Sequence, residues 1–356
     1  MAGACNGVSA REAGEALRQG WLEGNPGAQV DLATGSDGSL GLLDAVESVH
    51  GGVREVATVA SATGPVVPAL ILLAGGTAYL QAHDALGHRS DASIESLTHG
   101  SSAGVGQLIA AARDAGARTV VIGASPAATL DAGWGAIASL AGGVPEPFDA
   151  LASAPLTAEL VRAARAALAG LSLVVTTSDL VPAKGLKGPA SALRHQFGPE
   201  TSQMLEQRLA PVVGALDAVG APRQGLLAGA APALASLLGS SGSGGLGLGM
   251  LALGGSIAPG SAWVGNEIGL EQRAHHADLV VVCSEQLDPV EASSGMTAVA
   301  ASAAREAGVA VLALAPSVLL ERRGLAAAGI SSAARLGPGL DGLVAGAVRA
   351  ARGWAW

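Results

Sequence analysis

Amphipathic and apolar segments alternate along the chain and predict an α/β fold. Residues 9–22 repeat apolar positions at helical spacing, with Ser9 as a suitable N-cap and Asn25-Pro26-Gly27 as a stop signal. The apolar residues 29–33 predict a strand that leads into the loop 35–38. A helix, a strand, a loop and a further helix start are the beginning of a βαβ pattern.

The following region predicts antiparallel strands. Residues 53–60 form one strand-like segment, and residues 67–73 and 77–82 form two more. Ala74-Gly75-Gly76 separates the last two segments, and this spacing predicts a hairpin.

Alternation of helices and strands then continues to the end of the chain. Residues 104–115, 119–123 and a helix from Gly133 predict an αβα unit with parallel strands. Further helices and strands are predicted at 157–169, 172–177, 200–217, 278–283, 295–306 and 309–315. Between them, the glycine-dense run 240–247 would be a flexible linker if it stood alone.

This pattern predicts an α/β protein with a flavodoxin-like or Rossmann-like parallel-sheet domain and a second, smaller mixed α+β domain. A chain of 356 residues exceeds the usual size of a single core. The predicted parallel-sheet domain is discontinuous and comprises residues 1–50, 99–148 and 255–356. The second domain comprises residues 51–98 and 149–254.

Composition excludes several classes of function. Aromatic residues make up 2% of the chain against 49% hydrophobic residues, so the core is built from Ala, Val and Leu. The formal net charge is −9, and the 20 basic residues are scattered without a stripe. We therefore expect no nucleic-acid partner, since such proteins carry a clustered basic surface.

Cysteine usage and hydropathy indicate a cytoplasmic protein without a membrane contact. Cys5 and Cys283 are the only cysteines, too few for a disulfide framework. The first residues lack a basic region followed by an apolar one, so no secretory signal is expected. The most apolar stretch, 65–80, is interrupted by Pro68 and Gly75-Gly76.

Four loops follow predicted strands and carry acidic residues. They lie at 36–38, 123–135, 179–188 and 284–288, and their carboxylates are Asp37, Asp131, Asp179, Glu285 and Asp288. Ligands of open α/β sheets bind at the carboxyl ends of the strands. These loops are therefore the candidate site.

Two longer segments carry a resemblance to a known family. They are AGVGQLIAAARDAGARTVVIG at 103–123 and SGSGGLGLGMLALG at 241–254. With the four loops, they make the sequence similar to the glycerate kinase family, over nearly the whole chain. The resemblance implies an enzyme that transfers the γ-phosphate of ATP to glycerate, with ATP and Mg²⁺ as cofactors. It leaves a homo-oligomer open.

The resemblance also implies roles for individual residues. Asp179 is expected to orient or deprotonate the substrate hydroxyl. Asp37 and Asp131 are expected to lie near the phosphates and to bind Mg²⁺ together with ATP. The residues expected to bind substrate or nucleotide are Gly38, Gly123, Thr129, Gly133, Lys184, Lys187, Gly244, Gly245, Glu285 and Asp288.

The sequence departs from the family pattern at several positions. Ser125-Pro126 stands in the expected phosphate loop where the family has glycines, and Pro126 has no N–H to offer a phosphate. Leu40 replaces a glutamate, and Asn6 stands where a lysine is expected. Lys184, Lys187, Arg194 and His195 are candidate substitutes for the missing cations.

Each candidate residue also has a structural interpretation. Aspartates at strand ends often cap helices, and the glycines of 244–249 suit close helix packing. His99 and His275-His276 have no partners at ligand spacing and are expected at the surface. The alternative function is a catalytically impaired paralogue, a pseudokinase that acts as a ligand-binding or regulatory protein.

Overall fold

The computed structural model of the chain describes residues 1–143, 148, 149, 153, 155, 157–185, 188–220 and 233–354. The chain forms two compact units. One comprises Met1–Gly51 and Gly260–Trp356, here the terminal unit, and the other comprises Gly52–Pro259, here the central unit. Each unit is described separately below.

Strands occur in both units. In chain order they are β1 Val53–Ala60, β2 Val66–Ala74, β3 Thr77–Gln81, β4 Thr119–Gly123, β5 Ser172–Thr177, β6 Ser256–Pro259, β7 Leu279–Cys283, β8 Gln286–Leu287, β9 Ala310–Ala315, β10 Ser317–Val318 and β11 Ser332–Arg335.

Helices surround these strands. In chain order they are α1 Ala10–Gly24, α2 Leu42–His50, α3 His83–Leu86, α4 Ile94–His99, α5 Ala103–Asp114, α6 Trp134–Leu140, α7 Thr157–Ala167, α8 Arg194–Phe197, α9 Pro199–Val219, α10 Gly242–Ala252, α11 Gly260–Glu267, α12 Leu270–Ala274, α13 Glu291–Ser294, α14 Met296–Ala307, α15 Arg322–Ala327 and α16 Gly339–Gly353.

The central unit is built on one mixed sheet in the order β1-β2-β3-β4-β5-β6. Strands β1, β2 and β3 are antiparallel neighbours, whereas β3 to β6 pair in parallel. Apolar side chains of β4 and α5 fill the core, among them Val120, Ile122, Leu108 and Ile109. The predicted α/β class with a mainly parallel sheet is therefore confirmed.

The terminal unit carries a smaller parallel sheet in the order β11-β9-β7. Helix α1 begins with a capping box, in which Ser9 and Glu12 bond each other's backbone N–H. Close approach of α1 to α16 requires glycine at Gly20, where a Cβ would collide with the carbonyl oxygen of Val344. Small residues thus allow tight helix packing in a chain with few aromatics.

Most locally encoded elements match the predictions. The helix after Ser9 and the hairpin at Gly75-Gly76 are both confirmed, the hairpin by pairing of Ala74 with Thr77. The predicted strand at 29–33 is wrong, because none of these residues belongs to a strand; only the next residue, Thr34, forms an isolated bridge, to Ala2.

Two further expectations differ from the structure. Residues 99–148, placed with the termini in the predicted domains, belong to the central unit because β4 is hydrogen-bonded between β3 and β5. Residues 255–259, also predicted with the termini, belong to the central unit, where β6 pairs with β5. The glycine-dense run packs as the packing interpretation expects, since α10 begins inside it and is almost entirely buried.

Candidate functional site

Loops at the carboxyl ends of β3, β4 and β5 lie side by side in the central unit. Ala82 N–H donates to the carbonyl oxygen of Gly123 at 2.9 Å, and Ala124 N–H donates to that of Thr176 at 2.8 Å. The Thr177 hydroxyl donates to the carbonyl oxygen of Ala124 at 2.9 Å. This edge, here the central edge, is where parallel sheets hold ligands. Gly123 lies in the ladder itself.

Asp179 stands at the central edge directly after β5. Its N–H donates to Thr177 Oγ1 at 3.1 Å, and the Ser241 hydroxyl donates to its Oδ2 at 3.2 Å. Burial raises the pKa of Asp179, while the hydrogen bond from Ser241 and the positive charge of Arg89 act in the opposite direction. A carboxylate with a raised pKa is a stronger base than an ordinary aspartate.

Asp131 is a buried hydrogen-bond acceptor for two helix starts. The Ser102 N–H and hydroxyl each donate to its Oδ2 at 2.7 Å, Gly135 N–H donates to Oδ2 at 3.0 Å, and Gly133 N–H donates to Oδ1 at 3.0 Å. The residue is 1% exposed. Burial raises the pKa of Asp131 and the bonds from Ser102, Gly135 and Gly133 oppose it. Its contacts are those of a helix-bracing residue.

Glycines beside Asp131 allow backbone to pack on backbone. A Cβ on Gly244 would collide with the carbonyl oxygen of Thr129, and one on Gly245 would lie 2.8 Å from Ala132 Cα. Gly133 has a φ of 76°, a conformation that favours glycine. The packing interpretation of these glycines is thus supported by the contacts, and their contact with a nucleotide stays a prediction.

Three residues of the central edge escaped sequence reasoning: His83, His88 and Arg89. The rings of His83 and His88 stack with centroids 4.7 Å apart. The N–H of Arg89 donates to the carbonyl oxygen of Pro126 at 3.0 Å, which fixes it beside the loop after β4. The signal that could have found them is the cluster HDALGHR directly after β3. It was overlooked because β3 was assigned to the antiparallel region alone.

Lys184 lies on the loop that follows Asp179. Its Nζ is 3.9 Å from Asp217 Oδ2, and 65% of the side chain is exposed. Lys184 and Asp217 line a cavity of about 280 Å³ against the apolar side chains of Leu209 and Val213. Lys187, the second predicted cation, lies outside the described residues.

The terminal unit holds the other predicted residues. Asp37 accepts a hydrogen bond from Ser39 N–H at 2.9 Å and another from the Ser39 hydroxyl. Gly38 has a φ of 84° and packs so closely that a Cβ would collide with Gly260 Cα. Glycine is therefore required at position 38 by the backbone, whatever else it contacts.

Asp288 and Glu285 lie after β7 in the same unit. Asp288 accepts hydrogen bonds from Val290 N–H at 2.9 Å and Glu291 N–H at 2.8 Å, and these bonds, led by the one from Glu291, lower its pKa. Glu285 accepts from Asn6 N–H at 2.6 Å. Burial raises the pKa of Glu291, and the charges of Asp288 and Asp37 raise it further. Glu291 is therefore a further acidic residue of the terminal unit, in addition to the predicted Asp37, Glu285 and Asp288.

A comparison with known families decides the classification. The model described as "Glycerate kinase family" matches residues 5–351. The chain belongs to the glycerate kinase family. The resemblance predicted from the sequence is thereby confirmed.

The chain is also similar to two mycobacterial proteins and to one solved structure. The uncharacterized proteins Mb2228c of Mycobacterium bovis and MT2261 of Mycobacterium tuberculosis are each 31% identical to the chain over 332 residues, covering 92% of this chain and 80% of theirs. A crystal structure from Salmonella typhimurium LT2, named for a glycerate kinase 2, superposes with a TM-score of 0.75 at 21% identity. It covers 98% of this chain and 93% of that one, and it supports the glycerate kinase fold.

The donor set for magnesium is smaller than the family resemblance implied. Among the described residues, no group of three or more His, Cys, Asp or Glu side chains is placed to hold a metal ion. Asp131 does not fit, because protein donors occupy both of its buried oxygens. One carboxylate suffices where ATP phosphates supply the other ligands, so Asp37 remains the candidate. In the same part of the chain, no helix has the length and hydropathy to cross a membrane.

Proposed function

We propose that this member of the glycerate kinase family transfers the γ-phosphoryl group of ATP to a hydroxyl of glycerate, with Asp179 as the base. Family membership supports the phosphotransferase class. The observation that carries the assignment of the base is Asp179 itself: a half-buried carboxylate with a raised pKa at the carboxyl end of β5.

Asp179 would act on the acceptor. Its carboxylate takes the hydroxyl proton while the hydroxyl oxygen bonds to the γ-phosphorus and ADP leaves. Ser241 orients the carboxylate through its hydrogen bond to Oδ2, so that Oδ1 faces the acceptor. When bound, Mg²⁺ would supply charge neutralisation at the phosphates.

A second candidate function is ligand binding without turnover. It is favoured by the loop after β4, where Pro126 offers no N–H and Asp131 is fully engaged by helix starts. Phosphate loops work by directing successive N–H groups at the anion, so this loop is poorly suited to bind a phosphate. Lys184 is a candidate for part of the missing charge.

ADP release separates the two candidates. Purified protein is incubated with Mg²⁺-ATP, with and without glycerate, and ADP is measured beside a thermal-shift titration of each ligand. The phosphotransferase proposal predicts glycerate-dependent ADP release and a rise in Tm with ligand, since binding to the native state stabilises it. A Tm rise without ADP release favours the pseudokinase instead.

Matched variants test whether Asp179 is the base. Asp179→Asn removes the base but keeps the size of the side chain, and it should abolish ADP release while the Tm rise with ligand remains. Asp114→Asn is the control, because Asp114 is an exposed residue of the same unit whose partner is the neighbouring Arg113. Equal loss of activity in both variants would remove Asp179 from the mechanism.

A further inference from the structure

Arg89 places a positive charge at the central edge without a protein partner for it. Its backbone is held on both sides, since its N–H donates to Pro126 O at 3.0 Å and its carbonyl oxygen accepts from Gln196 Nε2 at 3.3 Å. Among the described residues, no hydrogen bond or ion pair engages its guanidinium, although its charge acts on Asp179. A half-buried guanidinium of this kind is suited to bind an anion.

The surroundings of Arg89 are polar and incompletely paired. Six buried side-chain polar atoms in the described part of the chain have no hydrogen-bond partner. Four of them lie at the last residue of β3 or in the segments that follow β3 and β4: Gln81 Oε1, His83 Nδ1, Ser125 Oγ and Thr129 Oγ1. Ser125 and Thr129 are each 1% exposed. Because buried polar groups are normally paired, such a concentration needs an explanation, and a polar ligand is one.

His83 does not compete with Arg89 for the anion. Burial lowers the pKa of His83, and the neighbouring His88 lowers it further, against the opposing charge of Asp84. Neutral imidazole is therefore the favoured form of His83 near neutral pH. The positive charge of Arg89 does act on Asp179.

The presence of both Arg89 and Asp179 at the central edge, Arg89 held at Pro126 and Asp179 following β5, selects the kind of anion. A phosphate group brings acceptor oxygens, which the Asp179 carboxylate repels. A hydroxy acid brings a carboxylate for the guanidinium and, a few bonds away, a hydroxyl that donates to Asp179. One small molecule can thus satisfy both charges at once.

We propose that Arg89 binds the carboxylate of the acceptor and so makes the site specific for small hydroxy acids. This inference rests on the proposed function, in which Asp179 receives the proton of the same acceptor. It adds a specificity-determining residue to that proposal. It also implies that groups other than Arg89 bind the nucleotide phosphates.

Binding of glycerate without nucleotide is the test, measured by calorimetry on wild type, Arg89→Gln and Arg89→Lys. We expect Arg89→Gln to weaken glycerate binding by about 10- to 100-fold, the loss of a charged hydrogen bond, with partial recovery in Arg89→Lys. Glycerol, which has the hydroxyls but no carboxylate, should bind poorly to all three. Arg162→Gln, at an exposed arginine of α7 that donates to Ala158 O of the same helix, is the control and should bind as wild type.

Other outcomes have definite meanings. Unchanged glycerate affinity in Arg89→Gln, or a wild type that binds no glycerate, overturns the inference. An equal loss of Mg²⁺-ATP affinity would make Arg89 a phosphate ligand and also overturn it. If glycerate binding depends on Arg89 but no ADP is released, the inference stands and the phosphotransferase proposal is refuted. If the protein turns over but its KM for glycerate does not change in the Arg89 variants, the phosphotransferase proposal stands and the inference is refuted. The Tm of each unliganded variant verifies that it is folded.

Discussion

Replacing Asp131 tests whether this residue is structural. Three donors converge on its Oδ2, from Ser102 and Gly135, and one donor, Gly133 N–H, meets Oδ1. An asparagine whose carbonyl occupies the Oδ2 position keeps the first three and turns its NH₂ group toward Gly133 N–H. Gly133 N–H then has no acceptor, and the NH₂ group is a second unpaired donor. An unpaired buried donor costs about 1–3 kcal/mol, so Asp131→Asn should lower the free energy of unfolding by at least that amount.

Asp131→Ala should be worse, because all four donors lose their acceptor. Water entering the space restores part of the bonding, so we expect a loss of about 3–5 kcal/mol in total. Urea unfolding gives both values, with Asp114→Asn expected within about 0.5 kcal/mol of wild type as an exposed control. Under conditions where it is folded, Asp131→Asn should keep its glycerate affinity. Full stability combined with lost ligand binding or turnover would refute the structural assignment.

Three further results are expected. Since the pKa of Asp179 is raised, kcat/KM should fall as the pH decreases through that pKa, at a higher pH than for an ordinary aspartate, and a flat profile there would exclude it as the base. Gly244→Ala should destabilise the central unit by at least about 1–3 kcal/mol in urea, because its Cβ meets the carbonyl oxygen of Thr129, and wild-type stability would contradict this packing. The hydrogen bond with the Cys5 thiol and, after it, burial raise the pKa of Cys283, so iodoacetamide should label Cys283 only after unfolding. Rapid labelling of the native protein would contradict its burial.

Elements encoded by neighbouring residues could be predicted from the sequence. The capping box of Ser9 and Glu12 lies within one turn, and the hairpin at Gly75-Gly76 needs only adjacent strands. The strand at 29–33 could not be judged in this way, because a strand requires a partner from a distant part of the chain. The structure offers residues 29–33 no such partner, and only Thr34 forms an isolated bridge, to Ala2.

The candidate site was only partly predictable for the same reason. Asp179 was recognisable because it directly follows a strongly apolar strand. The role of Asp131 depends on donors from Ser102, which is distant in sequence, so its burial was invisible in the pattern. Arg89 was missed because β3 pairs on one side with a hairpin partner and on the other with a parallel strand. The loop after β3 therefore lies at the central edge, which could not be expected when β3 was assigned to an antiparallel hairpin alone.

Formation of phosphoglycerate followed by ³¹P NMR tests the central claim most directly. Wild type, Asp179→Asn and the control Asp114→Asn are each incubated with Mg²⁺-ATP and glycerate. We predict a phosphoglycerate resonance for wild type and control, and a rate about 10²- to 10⁴-fold lower for Asp179→Asn, the usual contribution of a general base. Equal rates in all three proteins, or no phosphoglycerate from wild type, would contradict the account.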